Sequence, residues 1–254
     1  MLVRWRLDEQ DGKLLARLPE QIFSMALEAS SGRCALGTRL GTIYQIDIEN
    51  SILLAQWQAH PQSVFGLKYW QGKLISSGNE GQLRIWDEQR ILKEELSLSE
   101  KSLRCLYLEN EELTIAGSEG KAWRLNLLQR QIEASWEMST NSVFALEKRG
   151  DQLISAGRDA HIHYWQDEQR VKELEAHWYS IHALALSPDE NYLASGSMDK
   201  SIKIWDAASG TLLKVIDRER YGAHTSSVNA IVWLDNETFV SCSDDRTVMA
   251  FRIS

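Results

Sequence analysis

The sequence predicts an all-β protein built from repeated antiparallel units, and two observations lead to that prediction. A short run of the form apolar-x-x-aromatic-polar recurs and ends near residues 6, 47, 87, 126, 166, 206 and 252. These endings lie 39 to 41 residues apart, except for a last interval of 46 that contains the polar insertion DRERYGAHTSS. A fixed period of roughly forty residues indicates a repeat architecture. Each unit also holds short strand-like runs separated by turn residues, as in antiparallel all-β proteins.

The strands of each unit follow one another in a constant order. The first strands read IFSMALE, VFGLKYW, LRCLYLE, VFALEKR, IHALALS and VNAIVWL. The second strands read RCALGT, KLISSG, LTIAGS, QLISAG, YLASGS and FVSCSD. The recurring run supplies the third strand, and a fourth leads to the next unit: ILLAQW, ILKEEL, RQIEASW, RVKELE and TLLKVI. An extra hairpin, LVRWRLD (2–8) and KLLARL (13–18), precedes them and is similar to a third and a fourth strand.

The composition of the chain narrows the class of protein to which it can belong and the kinds of partner that it can bind. At 254 residues the chain is long enough for one large β domain, so a single domain over residues 1–254 is expected. A net charge of −8 argues against a nucleic-acid or anionic-membrane surface, because such binding needs clustered Lys and Arg. The three cysteines are far apart, and the N-terminus contains no apolar signal sequence, so a cytoplasmic location is expected.

Six aligned units resemble the WD-repeat family of β-propellers over almost the whole chain. The strongest matches are Trp86-Asp87 and Trp205-Asp206, and Ala59-His60, Ala176-His177 and Ala223-His224 are similar to the Gly-His of the family. The resemblance implies four-stranded antiparallel blades packed around a central channel. It does not determine how the ring of blades is closed. Strand 13–18 completes a six-bladed ring in one solution, and the hairpin is the outer half of an incomplete seventh blade in the other.

The resemblance also implies a structural tetrad in the best-preserved unit, on His177, Ser195, Asp199 and Trp205. A buried indole N–H needs an acceptor, a Ser hydroxyl can supply it, and His can link that hydroxyl to a carboxylate. Other units keep part of the set: His60, Ser76, Glu80 and Trp86; Ser139, Ser155, Asp159 and Trp165; His224, Ser241, Asp245 and Phe251. This recurrence predicts a structural role rather than a catalytic triad.

Little else in the sequence indicates chemistry. It contains no GxSxG elbow, phosphate-binding Gly-rich loop or zinc-ligand spacing. His161 and His163 share one face of a strand, and we interpret them as a solvated pair because no third ligand is evident. No catalytic residue, metal or cofactor is therefore predicted.

The position after the first apolar residue of each first strand is the most informative for function. It holds Phe23, Phe65, Arg104, Phe144, His182 and Asn229. In the family this position lies near the mouth of the channel, on the face that commonly binds partners. Trp178 and Tyr179 could extend the patch, as could the turn residues Arg39, Asn79, Ser118, Arg158, Met198 and Asp244. The alternative is that a one-residue slip of the alternation buries the three Phe side chains between blades.

These observations predict a non-catalytic scaffold that binds an unidentified protein or peptide through the top face of a rigid propeller. The alternative is an enzyme or small-molecule receptor that uses the mouth of the channel. The protein is expected to be a monomer, or a dimer formed through open blade edges. Because fold does not determine function, the scaffold prediction depends mainly on the family resemblance.

Overall fold

The computed structural model describes residues 2–4 and 12–253. Within that part the chain forms 25 β-strands and one short helix, and it divides into two compact units, residues 1–106 and 107–254. The predicted strand 2–8 is described only over β1 (Leu2–Arg4), and the repeat ending near residue 6 and the terminal Ser254 lie outside the described residues. The expectation of a single domain over residues 1–254 stays a prediction.

The strands form successive antiparallel sheets, as the repeat predicts, and the fold is a six-bladed β-propeller. The first blade contains β3 (Ile22–Glu28), β4 (Arg33–Thr38), β5 (Thr42–Asp47) and β6 (Ile52–Gln58). The second contains β7 (Val64–Trp70), β8 (Lys73–Gly78), β9 (Gln82–Trp86) and β10 (Leu92–Ser97). The third contains β11 (Leu103–Glu109), β12 (Glu112–Gly117), β13 (Lys121–Asn126) and β14 (Gln131–Glu137).

The remaining blades follow the same order. The fourth contains β15 (Val143–Arg149), β16 (Gln152–Gly157), β17 (His161–Gln166) and β18 (Gln169–Glu175). The fifth contains β19 (Ile181–Leu186), β20 (Tyr192–Ser197), β21 (Ile202–Asp206) and β22 (Leu212–Ile216). The sixth contains β23 (Val228–Trp233), β24 (Thr238–Ser243) and β25 (Val248–Arg252). The polar insertion before the sixth blade forms the short helix α1 (Arg218–Tyr221). Among the described residues, no helix is long and apolar enough to span a membrane.

Burial explains the different sequence patterns of the strands. The second strand of a blade is buried on both faces, as in β16 and β20, so it reads as a continuous apolar or small-residue run. The fourth strand alternates exposed and half-buried residues, as in β6 and β18, because only one of its faces packs against the protein. The position of each strand in its blade therefore determines the hydrophobic pattern of its sequence.

Blades pack face to face through apolar side chains. In residues 107–254, Ala183, Ala185 and Ile204 on one face of the fifth blade share a core with Ile231 and Phe239 of the sixth. The opposite face of the fifth blade packs on the fourth through Leu184, Leu193 and Trp205. The two faces of a blade thus have distinct roles. We call the first the receiving face and the second the docking face.

The N-terminal hairpin and the sixth blade form separate sheets in the described chain. β2 (Lys13–Ala16) pairs with β1 in a separate two-stranded sheet, and the sixth blade has three strands in the described chain. The hairpin packs Leu2 and Ala16, together with Leu18 of the segment that follows it, against Leu36 and Ile46 on the docking face of the first blade.

Candidate partner-binding face

A β-bulge positions the predicted rim residues. The pairing register shifts between Ile22 and Ser24, and it shifts at the same place in the first strands of the second, fourth, fifth and sixth blades. The extra residue of a bulge is left out of the ladder, and the strand bends there. Phe23, Phe65, Phe144, His182 and Asn229 are these extra residues, and Arg104 aligns with them in the third blade.

The bulge also determines whether the three Phe side chains are exposed or are buried between blades. In β3, Ser24 and Ala26 point toward the second blade, where the Ser24 hydroxyl donates to the Val64 carbonyl at 2.8 Å. Met25 and Leu27 lie on the opposite face. Phe23 belongs to neither series and is 45% exposed, while Phe65 and Phe144 are half-buried. The slip that would have buried all three in the core does not occur, because the bulge absorbs the extra residue.

In residues 1–106 the rim forms a stacked row. The rings of Phe23 and Phe65 are 5.7 Å apart and nearly parallel. The Arg104 guanidinium lies 4.0 Å from the centroid of the Phe65 ring, a cation–π arrangement. Burial lowers the pKa of Arg104 from its ordinary value. Two aromatic faces and a partly desolvated cation are therefore presented together, and aromatic and Arg side chains are enriched in binding hot spots.

In residues 107–254 the predicted rim residues form a group of contacts of their own. The rings of Phe144 and His182 meet edge to face at 5.4 Å. The two nitrogens of His182 lie 3.2 Å from the Ser180 hydroxyl and 3.4 Å from the Ser227 hydroxyl. Asn229 is exposed, and its side-chain amide donates to Asp244 at 2.6 Å. The predicted residues in this unit are thus held by neighbours at the ends of the first strands.

In residues 107–254 the predicted residues Trp178, Tyr179 and Met198 have strongly exposed side chains, at 88%, 61% and 53%. We call these three residues the corner. Their backbone is fixed even though their side chains reach solvent. The Trp178 N–H donates to Asp199 at 3.2 Å, the buried Ser197 hydroxyl donates to the Tyr179 carbonyl, and the Met198 N–H donates to the Ser180 carbonyl. An exposed aromatic pair on a fixed backbone loses little conformational entropy on binding.

The other predicted turn residues contribute mainly through their backbone. The N–H of the first turn residue donates to the carbonyl just before the first strand in five blades: Arg39 to Gln21, Asn79 to Ser63, Arg158 to Ser142, Met198 to Ser180 and Asp244 to Ser227. Each turn between second and third strands is therefore tied to the loop that enters its blade. Ser118 accepts a hydrogen bond from the Ser142 hydroxyl through its carbonyl.

The tetrad residues form one hydrogen-bonded chain beneath the corner. The Trp205 indole N–H donates to the Ser195 hydroxyl at 2.9 Å, and Ser195 lies 2.8 Å from His177 Nε2. Because the hydroxyl accepts from Trp205, its own proton points to Nε2, so Nδ1 carries the hydrogen and donates to Asp199 at 2.8 Å. Burial lowers the pKa of His177, which agrees with a neutral imidazole. Burial alone would raise the pKa of Asp199, but the hydrogen bonds from His177 and Ser201 outweigh it and lower the pKa.

The second and sixth blades keep most of this chain. His60 Nε2 lies 2.8 Å from Ser76, which accepts from Trp86, and His60 Nδ1 contacts Glu80 at 2.6 Å, so Glu fills the place of Asp. In the sixth blade His224 bridges Ser241 and Asp245, and Phe251 stands in the Trp position without a donor. A carboxylate, an imidazole and a hydroxyl thus recur as a unit.

The fourth blade corrects the prediction for His163. Instead of forming a solvated pair with His161, His163 is 4% exposed, and its Nε2 lies 3.0 Å from Asp159. The reason is the serine at the usual His position. The Ser139 hydroxyl donates to Asp159 at 2.8 Å, and the imidazole of His163 enters from the third strand to occupy the adjacent space. These bonds outweigh the effect of burial and lower the pKa of Asp159 to about 2.

The first and third blades replace the polar chain with apolar contacts. Leu36 and Ile115 stand where the others have Ser, and Ile46 and Leu125 stand where the others have Trp or Phe. All four side chains are at most 2% exposed. When both the donor and the acceptor of a hydrogen bond are replaced by apolar side chains, no buried polar group is left without a partner. The site is therefore filled either by a bonded polar chain or by an apolar pair.

We expect stability to fall in mild acid because of the buried histidines. Burial lowers the pKa of His60 and His177 below the ordinary value of 6.5, so the unfolded chain binds more protons there. Their contribution is complete above that value and is lost as pH falls below it. Urea denaturation followed between about pH 8 and about pH 5 should show a falling free energy of unfolding. A curve that stays flat over that range, in wild type and in His161→Gln alike, would contradict neutral histidines in the tetrads.

Comparison with known proteins agrees with this fold. The WD40 family model, described as WD domain, G-beta repeat, matches residues 168–206 and 215–251. These residues include β18, the first three strands of the fifth blade and most of the sixth blade. The chain belongs to the WD-repeat family. The computationally designed Ika8 protein has a similar crystal structure, with a TM-score of 0.74 and 25% identity over 92% of this chain and 71% of that one.

Curated relatives of this WD-repeat protein are longer. Cilia- and flagella-associated protein 52 of Sus scrofa is 26% identical over 194 residues, which cover 71% of this chain and 30% of that protein. Protein HIR1 of Candida albicans is 30% identical over 206 residues, which cover 71% of this chain and 21% of that protein. The chain thus spans less than a third of the length of these relatives.

Proposed function

We propose that this WD-repeat protein is a non-catalytic scaffold that binds a protein or peptide through its top face. The observation that carries the proposal is the corner. Trp178 exposes 88% of its surface, and its backbone N–H is bonded to a carboxylate that also anchors the tetrad. A large aromatic side chain in water is costly to keep exposed. A fixed, exposed Trp beside an exposed Tyr is therefore suited to insertion into a partner.

The stacked row Phe23, Phe65 and Arg104 is a separate proposed contact within residues 1–106. Its chemistry fits a segment with an aromatic or acidic side chain, since Arg104 offers a cation over a ring. WD-repeat propellers generally mediate protein interactions, and this matches a surface of aromatic and Arg groups rather than one of converging acids and bases.

The rival function, an enzyme or small-molecule receptor, has less support. It would need a cluster of His and carboxylate groups at the mouth of the channel. Among residues 2–4 and 12–253, no group of three or more His, Cys, Asp or Glu could hold a metal ion. His177 and Asp199 are tied to Ser195 and Trp205 in the blade interior, where they stabilise the fold.

We infer that the protein works in a reducing, cytoplasm-like compartment. Its three cysteines, Cys34, Cys105 and Cys242, form no disulfide with one another. Burial raises the pKa of Cys34 to about 11, so this thiol stays protonated and unreactive. The name of one relative associates that relative with cilia and flagella; for this chain we propose the compartment only.

Selection of peptides from a displayed random library on the immobilised protein tests the scaffold proposal. We expect Trp178→Ala to weaken the selected peptides by at least about tenfold, equivalent to about 1.4 kcal/mol, because a hot-spot aromatic is lost. Phe65→Ala should weaken those peptides that use the stacked row. Tyr221→Ala is the matched control, since Tyr221 is a 47% exposed aromatic in the insertion helix. Peptides that bind wild type and both rim variants equally would overturn the proposal, as would reproducible turnover of generic ester or phosphoester substrates.

A further inference from the structure

The polar insertion before the sixth blade lies beside the corner. A cleft of about 360 Å³ is lined on one side by Lys200, which belongs to the same turn as the corner residue Met198. Its other side is lined by Arg218, Glu219 and Thr225 of the insertion. The insertion therefore extends the surface around the corner within residues 107–254.

Hydrogen bonds hold the insertion at both ends. The Asp217 carboxylate caps α1 by accepting the Arg220 N–H at 2.9 Å. Gly222 ends the helix with a φ of 63°, in the left-handed region that favours glycine, and its N–H donates to the Arg218 carbonyl at 2.9 Å. His224 then enters the tetrad of the sixth blade, where it is fully buried. The backbone that carries Arg218 is therefore fixed before any partner binds.

One basic side chain lies on each side of Trp178. Arg158 is two residues before Ala160, whose carbonyl accepts the His177 N–H at 3.0 Å, and His177 directly precedes Trp178. Lys200 directly follows the carboxylate that accepts the Trp178 N–H at 3.2 Å. Both basic side chains are exposed. The exposed indole is thus flanked by two cations.

The carboxylates of the same two turns point into the blades. Asp159 and Asp199 each accept a hydrogen bond at 2.8 Å from a hydroxyl or imidazole of their own blade. The exposed acids of these segments are Glu175 and Glu219, against the exposed basic side chains Arg158, Lys200, Arg218 and Arg220. The charged groups that reach solvent around the corner are therefore mainly basic, in a chain whose net charge is −8.

We propose that the partner of the corner is an acidic peptide segment. An aromatic or apolar side chain of that segment contacts Trp178 and Tyr179. Its flanking Asp and Glu side chains pair with Arg158, Lys200 and Arg218. The inference rests on the proposed scaffold function and adds the chemistry of the partner.

Charge complementarity favours this partner over others. The aromatic contact supplies affinity, and the basic side chains supply selectivity and faster association. Elsewhere a chain of net charge −8 repels an acidic segment, so the local basic groups determine where such a segment binds. A nucleic acid fits less well, because its affinity comes from many phosphate contacts to clustered Lys and Arg.

Reversal of the local charge tests the inference. Peptides selected from a displayed random library on the full wild-type chain should contain more Asp and Glu than the starting library, next to an aromatic or apolar residue. Lys200→Glu combined with Arg218→Glu should weaken these peptides about fivefold or more, and should itself select peptides rich in Lys and Arg. Wild-type affinity should also fall as salt is raised from about 0.05 M to about 0.5 M.

The matched control is Arg170→Glu combined with Arg252→Glu, which makes the same change in net charge at two exposed arginines on β18 and β25. This variant should bind the selected peptides like wild type. Circular dichroism should be unchanged in every variant, and Lys200→Gln with Arg218→Gln, expected to give a smaller loss, replaces a charge-reversed variant that does not fold.

Three outcomes would overturn the inference. Selected peptides that need Trp178 but show no acidic excess and no response to charge reversal would do so, and would leave the scaffold proposal intact. Peptides that bind Trp178→Ala as well as wild type would remove both proposals. Binding of a random-sequence DNA oligonucleotide that charge reversal abolishes, without selection of acidic peptides, would assign the basic groups to a nucleic acid instead.

Discussion

Ser195→Ala should lower the free energy of unfolding by about 2–6 kcal/mol, one of two large effects expected in this protein. The Ser195 hydroxyl is fully buried and is bonded to both the Trp205 indole N–H and His177 Nε2. Its removal leaves two buried polar groups without a partner, each costing about 1–3 kcal/mol. Urea denaturation monitored by Trp fluorescence measures the change.

Two comparisons isolate the cause. Ser97→Ala removes a hydroxyl from an exposed position of the outer strand β10 and should change stability by at most about 0.5 kcal/mol. Trp205→Phe should cost less than Ser195→Ala, since Ser195 can still bond His177, as Ser241 bonds His224 beside Phe251. If Ser195→Ala were no more destabilising than Ser97→Ala, the bonded chain would contribute nothing to stability.

Leu36→Ser should be strongly destabilising even though Ser is the usual residue at this position in four other blades. Leu36 is fully buried and packs with Ile46 and with Leu18 of the segment after the hairpin. Leu36→Ala should cost about 2–5 kcal/mol through lost burial and the cavity that remains. Leu36→Ser should lower the free energy of unfolding by about 1–3 kcal/mol more than Leu36→Ala does, because no indole or imidazole is present to bond the hydroxyl.

The matched control is Leu53→Ser on the outer strand β6, where the leucine is 52% exposed. It should change the free energy of unfolding by about 0.5 kcal/mol or less. Equal losses for Leu36→Ser and Leu36→Ala would mean that the hydroxyl finds a partner in the first blade. Together with Ser195→Ala, this pair tests whether the repeat tolerates only a complete polar chain or a complete apolar pair.

Particular residues show how far sequence reasoning reached. The period of the recurring run and the Trp86-Asp87 and Trp205-Asp206 dipeptides were enough for the six blades, since each unit repeats one strand pattern. The sequence located the position of interest in each first strand, for example Phe23, but it could not show whether that side chain is exposed at the rim or buried in the core. A bulge between Ile22 and Ser24 changes no residue type, so the alternation alone could not reveal it.

The role of His163 was missed for a related reason. Its position on the third strand holds Arg84 and Lys203 in the second and fifth blades, both half-buried residues that donate to backbone carbonyls. A histidine at a basic position therefore looked like a solvated residue. Its burial depends on Ser139 being too short to fill the site beside Asp159, which is a contact between residues 20 or more apart in the chain.

The sequence by itself determined the repeated strand pattern and the class of fold, because these follow from local alternation and from a fixed period. The residues of the tetrad came from the resemblance of the units to the WD-repeat family. Only the tertiary structure decided which side chains reach solvent. Exposure of Phe23 depends on a bulge, and exposure of Trp178 depends on the bond from its N–H to Asp199, 21 residues away. These properties arise from distant contacts, which the local pattern of residues does not encode.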